Sequence, residues 1–221
     1  MIKINNKKIK VIGFDLDQTL YQKSKEIDGE IQKYIYIKIA ENKKISISRA
    51  TNLFKNLYKE GRGLSGSKSL KALNIPQAKE IIQEALERAD ISLYLKPNIQ
   101  NINLLKRLKD RYKNIDLITG SNLKITKLKL KKLQIPQEIF SHLITQDNGS
   151  KSDETAYKIW LNLYPRITSK EFLYIGDRLV SDYLIPKKLK IKTILVNQEK
   201  AEAKTKCLQL LYFNDLEKYL L

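Results

Sequence analysis

The sequence predicts an α/β protein, a Rossmann-like parallel sheet with an all-helical domain inserted after its first strand. Four short runs rich in β-branched residues are apolar almost throughout instead of alternating, as strands covered on both faces are. Helical periodicity separates them, which is the order of right-handed crossover units. Between about residues 21 and 95 strand patterns stop and only helical ones remain. The sheet domain is therefore assigned to residues 1–20 and 96–221, and the insertion to 21–95.

The first predicted strand, 10–14 (KVIGF), exits into DLDQT, which turns Asp15 and Asp17 toward one rim and Leu16 the other way. Two like charges so close need a cation, a shared proton or water. The insertion follows, with helices over IDGEIQKYIYIKIAEN, ISRATNLFKNLYKE and IPQAKEIIQEALERAD. Between the last two, EGRGLSGSKSL carries Gly61, Gly63 and Gly66 and predicts a mobile loop over 61–68, equally a connector or a substrate-touching element. PNIQNINLLKRLKDRY spaces Ile99, Ile102, Leu105 and Leu108 as one buried helix face.

The strand 115–119 (IDLIT) runs into TGSN. There Thr119, Gly120, Ser121 and Asn122 open a helix whose amides can hold a phosphate, although the same residues would cap a helix in any α/β protein. NGSKSDE supplies Lys151 ahead of a helix expected to start at a Ser152 cap, with Glu154 in its first turn. The strand 172–176 (FLYIG) exits into GDRLVSD, which brings Asp177, Arg178 and Asp182; Asp182 belongs to the site or caps the helix over YLIPKKL. The strand 192–196 (KTILV) follows. His142 has no metal-ligand partner at a useful spacing and is assigned a structural role, and Trp160, spaced with Ala156 and Leu163, is assigned to the core.

Composition narrows the setting. With 221 residues, 42% apolar and 30% charged, the chain can bury a substantial core and is too apolar for disorder. The one cysteine, Cys207, cannot close an internal disulfide, so a cytoplasmic location is expected. No apolar run approaches the ~18 residues that span a bilayer, and MIKINNKKIKVIGFDLD reaches its acids too soon for a signal peptide, so no membrane association is expected. The net charge of +18 permits attraction to polyanions, yet the lysines are dispersed. In KITKLKLKKLQ the leucines Leu128, Leu130 and Leu133 can share a buried side and leave Lys127, Lys129, Lys131 and Lys132 solvated. A bias in residue usage is the favoured reading, and nucleic acid is a possible but not a favoured partner.

Ligands of open parallel sheets bind beyond the carboxyl ends of the strands, where these acids, Lys151 and the TGSN nest are expected to gather. Oxygen donors of this kind suit a hard cation such as Mg²⁺, which typically takes one or two carboxylates together with phosphate and water. Taken in order, DLDQT, ITGSN, Lys151 and IGDRLVSD resemble the four motifs of the haloacid dehalogenase superfamily, over residues 11–196. The insertion resembles the helical cap of that superfamily's subfamily I, and FDLDQTLY with the insertion's loop is most similar to pyrimidine 5'-nucleotidase and phosphoglycolate phosphatase-like phosphatases. The fold implied is a Rossmann-like core with an inserted all-helical cap domain.

The resemblance also implies roles. Asp15 would attack phosphorus and form an aspartyl-phosphate; Asp17, as an unpaired buried acid, would protonate the leaving oxygen and then activate water. Thr119 and the amides of Gly120 and Ser121 would grip the phosphoryl oxygens while Lys151 neutralises their charge. Mg²⁺ would be held by Asp15, the Asp17 backbone carbonyl and Asp177, with Asp182 in support or bound through water. A cap closing over the site would select a small phosphorylated metabolite, a nucleotide or sugar phosphate. The implied function is a Mg²⁺-dependent phosphatase. Asp17 argues against a dehalogenase, which has no phosphate leaving group to serve. A phosphomutase keeps every motif and stands as an alternative, as does a nucleic-acid-binding protein or polynucleotide-end phosphatase suggested by the basic charge.

Overall fold

The computed structural model describes residues 8–22, 24–59, 64–89, 91, 93–198 and 205–221. They fall into two units, one of them Ser24–Tyr94 and the other formed by the residues on either side of it.

In the flanking unit, β1 (Val11–Phe14) pairs in parallel with β2 (Asn114–Ile118) on one side and β4 (Phe172–Gly176) on the other. Beyond β2 lies β3 (His142–Ile144), and beyond β4 lie β5 (Lys192–Leu195) and β6 (Leu208–Gln209), all parallel, in the order β3-β2-β1-β4-β5-β6. The chain fills the sheet in opposite directions from β1, so the carboxyl ends of β1 and β4 meet at the switch point where such sheets open a crevice. The four predicted strands are all present. The two that the sequence does not predict, β3 and β6, have three and two residues, too few to carry a pattern.

One face of the sheet is covered through Trp160, on helix α7 (Thr155–Asn162; helices are numbered in chain order), whose ring packs edge-on against Phe172 and Tyr174 at 4.9 and 5.9 Å. Gly13 in β1 makes room for it, since a Cβ there would lie 2.6 Å from both Trp160 and Ile118. The carboxylate of Asp116, fully buried mid-β2, accepts from Trp160 Nε1 at 2.8 Å and from the Tyr164 hydroxyl at 2.8 Å, and lies 2.9 Å from His142 Nδ1. One buried acid thus ties β2, β3 and the α7 region together, and His142 and Trp160 belong to the framework.

The unit Ser24–Tyr94 is helical: α1 (Lys25–Lys43), α2 (Ile47–Tyr58), α3 (Gly66–Ala72) and α4 (Ala78–Arg88), with no strand among the described residues. Ser24, Ser46 and Ser65 cap the first three by accepting from backbone amides. Ile35, Ile39, Phe54, Leu70 and Ala85 form its core, with the Phe54 ring between those of Tyr36 and Tyr58. The predicted loop over 61–68 is only partly tested. Residues 61–63 lie outside the described residues, while Gly66 to Lys68 begin α3, because Ser65 caps that turn and Leu70 buries its face.

The remaining helices are α5 (Ile99–Tyr112), α6 (Leu123–Lys132), and the short α8 (Ile185–Lys188) and α9 (Glu217–Leu220). Three sequence expectations are corrected here. Helix α7 starts at Thr155, not at Ser152; Lys151–Asp153 form a 3₁₀ turn capped by Ser150. Ile99, in the first turn of α5, is exposed, as is Leu163 after α7. In α6 the assignment of Leu128 and Lys129 is reversed, with Leu128 48% and Lys129 2% exposed. Among the described residues no helix is long and apolar enough to cross a membrane.

Replacing Asp116 by Ala strands the buried Trp160 Nε1 and the part-buried Tyr164 hydroxyl, and each hydrogen bond to a charged group is worth about 1.5–3 kcal/mol. Urea unfolding of Asp116→Ala is expected to show a loss of at least ~3 kcal/mol; a loss below ~1 kcal/mol would show that the cluster does not hold the sheet to α7.

Candidate active site

The β1 register delivers Asp15 to the exit of that strand, where its amide donates to the Ile175 carbonyl at 2.8 Å, so Asp15 sits beside the end of β4. Its carboxylate is buried, taking a 2.7 Å contact from Lys151 Nζ on Oδ1 and a longer 3.3 Å one from the Thr19 hydroxyl on Oδ2. Lys151, itself buried, bridges across to Asp182 Oδ1 at 2.7 Å. Asp182 lies on a π-helical turn, Leu179–Leu184, and its Oδ2 accepts from the amides of Asp177 and Arg178 at 3.1 and 2.9 Å. It therefore shapes the loop after β4 and does not cap the following helix. Gly176 permits this, because a Cβ there would sit 2.5 Å from the Asp182 side chain.

Asp177 is the remaining acid of the cluster. Oxygens of Asp15, Asp177 and Asp182 lie within 4.8 Å of one another, and Asp177 Oδ1 is buried without a hydrogen-bond partner among the described residues. An orphaned carboxylate oxygen beside two more carboxylates fits a hard cation with oxygen ligands. Asp182 is tied down by the Lys151 ion pair and by two backbone amides, and Asp15 by Lys151 and more loosely by Thr19, so the Asp177 oxygen is the group most open to direct ligation.

Asp17 is turned to a different set of partners. Its Oδ1 accepts from Tyr21 OH at 2.6 Å and from Lys129 Nζ at 2.5 Å, and its Oδ2 from Ser121 Oγ at 2.9 Å. Lys129 Nζ also donates to Ser121 Oγ at 3.0 Å. In the TGSN nest Thr119 is buried, and its Oγ1 accepts from the Ser121 amide at 3.2 Å. Gly120 is exposed with open space on its side-chain face, and Asn122 caps α6 by accepting from the Ile125 amide at 2.9 Å. Of the phosphate-gripping groups expected there, the Ser121 amide and the Thr119 hydroxyl are engaged with each other, and the Ser121 hydroxyl is engaged with Asp17.

Residues 12–196 match the family described as haloacid dehalogenase-like hydrolase, most of the chain. The chain belongs to this family. A haloacid dehalogenase-like family protein of Streptococcus pneumoniae has 15% identity and a TM-score of 0.70, covering 97% of this chain and all of that one (100%). A family phosphatase from Thermococcus onnurineus has 20% identity and a TM-score of 0.66, covering 96% of this chain and 98% of the other. A family hydrolase from Bacillus subtilis, solved bound to magnesium, has 14% identity and a TM-score of 0.63 over 96% and 98%. At such identities the likeness is one of fold. No curated protein matches the sequence.

In this hydrolase the two acids of the DLD segment are unequal. Burial pushes Asp15 up to about 6, against the pull of Lys151 and with Asp182 and Asp17 adding to the rise. Burial would raise Asp17 as well, but Lys129, followed by the Tyr21 and Ser121 hydrogen bonds, outweighs it and brings that carboxyl down to about 2. Asp17 is thus not the unpaired acid that the sequence predicts; the lysine that pairs it is one assigned to solvent. Burial drives Asp177 well above the usual range, and Lys151 outweighs burial to hold Asp182 below it.

Sequence reasoning misses four site-shaping residues. Lys129 was detectable, because it falls three and four residues from Thr126, Ile125 and Leu133, all buried. Tyr21 lies four residues after Asp17, with no pattern to mark it. Asn197 and Gln198, after β5, act on backbone: Asn197 Nδ2 donates to the carbonyls of Gln18 and Thr19 at 2.7 and 3.2 Å, and Gln198 Nε2 to that of Asp177 at 2.8 Å. A side chain bonding to backbone leaves no signature in a sequence.

The Asp15 shift has a measurable consequence. Its carboxyl titrates at 3.8 when unperturbed and about 6 in the metal-free fold, so it supports folding while protonated, and that support is lost as pH rises through 6. In chelator, the unfolding free energy of wild type relative to Asp15→Asn should fall by up to ~3 kcal/mol between pH 4 and 7. A difference that stays flat or grows over that range contradicts the assigned environment.

Proposed function

We propose that the enzyme is a Mg²⁺-dependent phosphatase of small phosphomonoesters, acting through an aspartyl-phosphate on Asp15. The observation that carries this reading is the meeting of Asp15, Lys151 and the orphaned Asp177 oxygen at the exit of neighbouring strands. Asp15 and Asp177 would hold the cation, together with the backbone carbonyl of Asp17, whose side chain is committed elsewhere. When bound, Mg²⁺ supplies positive charge that offsets both the acids and the phosphoryl oxygens.

The chain's own residues divide the chemistry. An Asp15 oxygen attacks phosphorus as the bond to the leaving oxygen breaks, and the leaving group departs with the ester's electron pair and takes up a proton from solvent water. Lys151, 2.7 Å from Asp15 Oδ1, is placed to neutralise charge on the transferring group. Water then attacks the aspartyl-phosphate, its proton passes to Asp17 and from there to solvent, and phosphate leaves with Asp15 and Asp17 restored. The ionised state that Lys129 enforces on Asp17 suits this second half. The Gly120 amide, on the open side of the nest, would hold a phosphoryl oxygen, with the buried Thr119 hydroxyl beside it as the second proposed contact.

The unit Ser24–Tyr94 is proposed as a cap that selects nucleotides or sugar phosphates, and a cytoplasmic setting suits a chain with one cysteine. A phosphate-release assay over aryl phosphate, nucleotides and sugar phosphates is the test. Turnover should require Mg²⁺, stop in chelator, and fall at least ~1,000-fold in Asp15→Asn while the fold persists. Wild type that hydrolyses no phosphomonoester, or Asp15→Asn that retains activity, contradicts the reading.

A further inference from the structure

We propose that Lys129 is a positioning residue for the reaction: with Tyr21 it clamps the Asp17 carboxylate in its working place. This rests on the phosphatase reading above. A lysine buried in a helix face is strongly unfavourable unless its ammonium is paired and hydrogen-bonded. Here the pairing is made across the site. Lys129 is 2% exposed, and its Nζ lies 2.5 Å from Asp17 Oδ1 and 3.0 Å from Ser121 Oγ. Ser121 Oγ in turn donates to Asp17 Oδ2 at 2.9 Å, so the ammonium, the hydroxyl and the carboxylate close a ring. Tyr21 OH adds a fourth corner at 2.6 Å.

The placement gives the lysine no other task. Helix α6 turns Ile125, Thr126 and Leu133 inward on the same stripe, so an apolar residue at 129 would pack there as a core residue does. What the ammonium adds is a fixed rotamer for Asp17, since the carboxylate meets donors on both oxygens from β1's own exit loop, the TGSN nest and α6. Lys151 cannot substitute, because it is spent on Asp15 and Asp182. The two lysines divide three of the four acids: Lys151 takes Asp15 and Asp182, and Lys129 takes Asp17, the proton carrier.

A double-mutant cycle separates positioning from packing, with kcat and KM measured on an aryl phosphate in Mg²⁺. Lys129→Met keeps the length of the side chain and removes its charge. It is expected to lower kcat at least ten-fold with KM within about three-fold of wild type, and Lys129→Arg to recover part of the loss. In an Asp17→Asn background, adding Lys129→Met should change kcat by less than two-fold, because the lysine's effect on the reaction runs through that carboxylate. Should Lys129→Met not fold, Tyr21→Phe, which removes one hydroxyl from the same clamp, is carried through the same cycle with the same expectation. Additive losses, an unchanged kcat, or a raised KM at constant kcat would overturn the role and leave the phosphatase reading standing. Wild type without turnover on any phosphomonoester would overturn that reading, and this role with it.

Discussion

Three carboxylates crowded into one buried corner are the constraint on which the rest of the site depends. Oxygens of Asp15, Asp177 and Asp182 lie within 4.8 Å of one another, at the exits of two neighbouring strands and the turn after the second. Desolvating like charges so close is unfavourable, and the local structure is arranged to answer that cost. Lys151 bridges two of the three, backbone amides of the post-β4 turn satisfy Asp182, and one oxygen of Asp177 is left without a partner among the described residues. That unanswered carboxylate oxygen is what a cation would complete.

The surrounding fold serves to keep these groups where repulsion would otherwise move them. Gly13 lets Trp160 close on the sheet, and Gly176 lets Asp182 tuck beneath the strand end, each at distances that exclude even a methyl group. Asn197 and Gln198 hold the carbonyls of the loops after β1 and β4 from the far side of the switch point. Asp116 anchors β3 and the α7 region to β2 and so fixes the strand from which Thr119 and Ser121 emerge. Rigid elements therefore position the short loops that carry the acids and the lysine of the candidate site.

The sequence disclosed the architecture because its strands are long apolar runs and its acids sit at their ends. The runs at Val11, Ile115, Phe172 and Lys192 became β1, β2, β4 and β5, and Asp15, Lys151, Asp177 and Asp182 met at the exits of β1 and β4. It was silent where an element is too short to show a period, as for β3 and β6, and where a side chain bonds to backbone, as for Asn197 and Gln198. It misled where composition outweighed geometry. Lys129, one cation in a lysine-rich helix, looked like solvent dressing although its spacing from Ile125 and Leu133 placed it on the buried stripe. Asp17, read as an unpaired acid, is the partner that this lysine was missing.

The central claim is that the acidic corner takes up a divalent cation through Asp177. The most direct measurement is the thermal unfolding midpoint with and without 10 mM Mg²⁺, roughly 100 times a dissociation constant of ~0.1 mM, for wild type and Asp177→Asn. Such an excess adds about 2.7 kcal/mol of stability, a rise of roughly 5–10 °C for a chain of this size. Wild type is predicted to show that rise and Asp177→Asn to lose most of it. No shift in wild type, or an equal shift in the variant, would contradict the account.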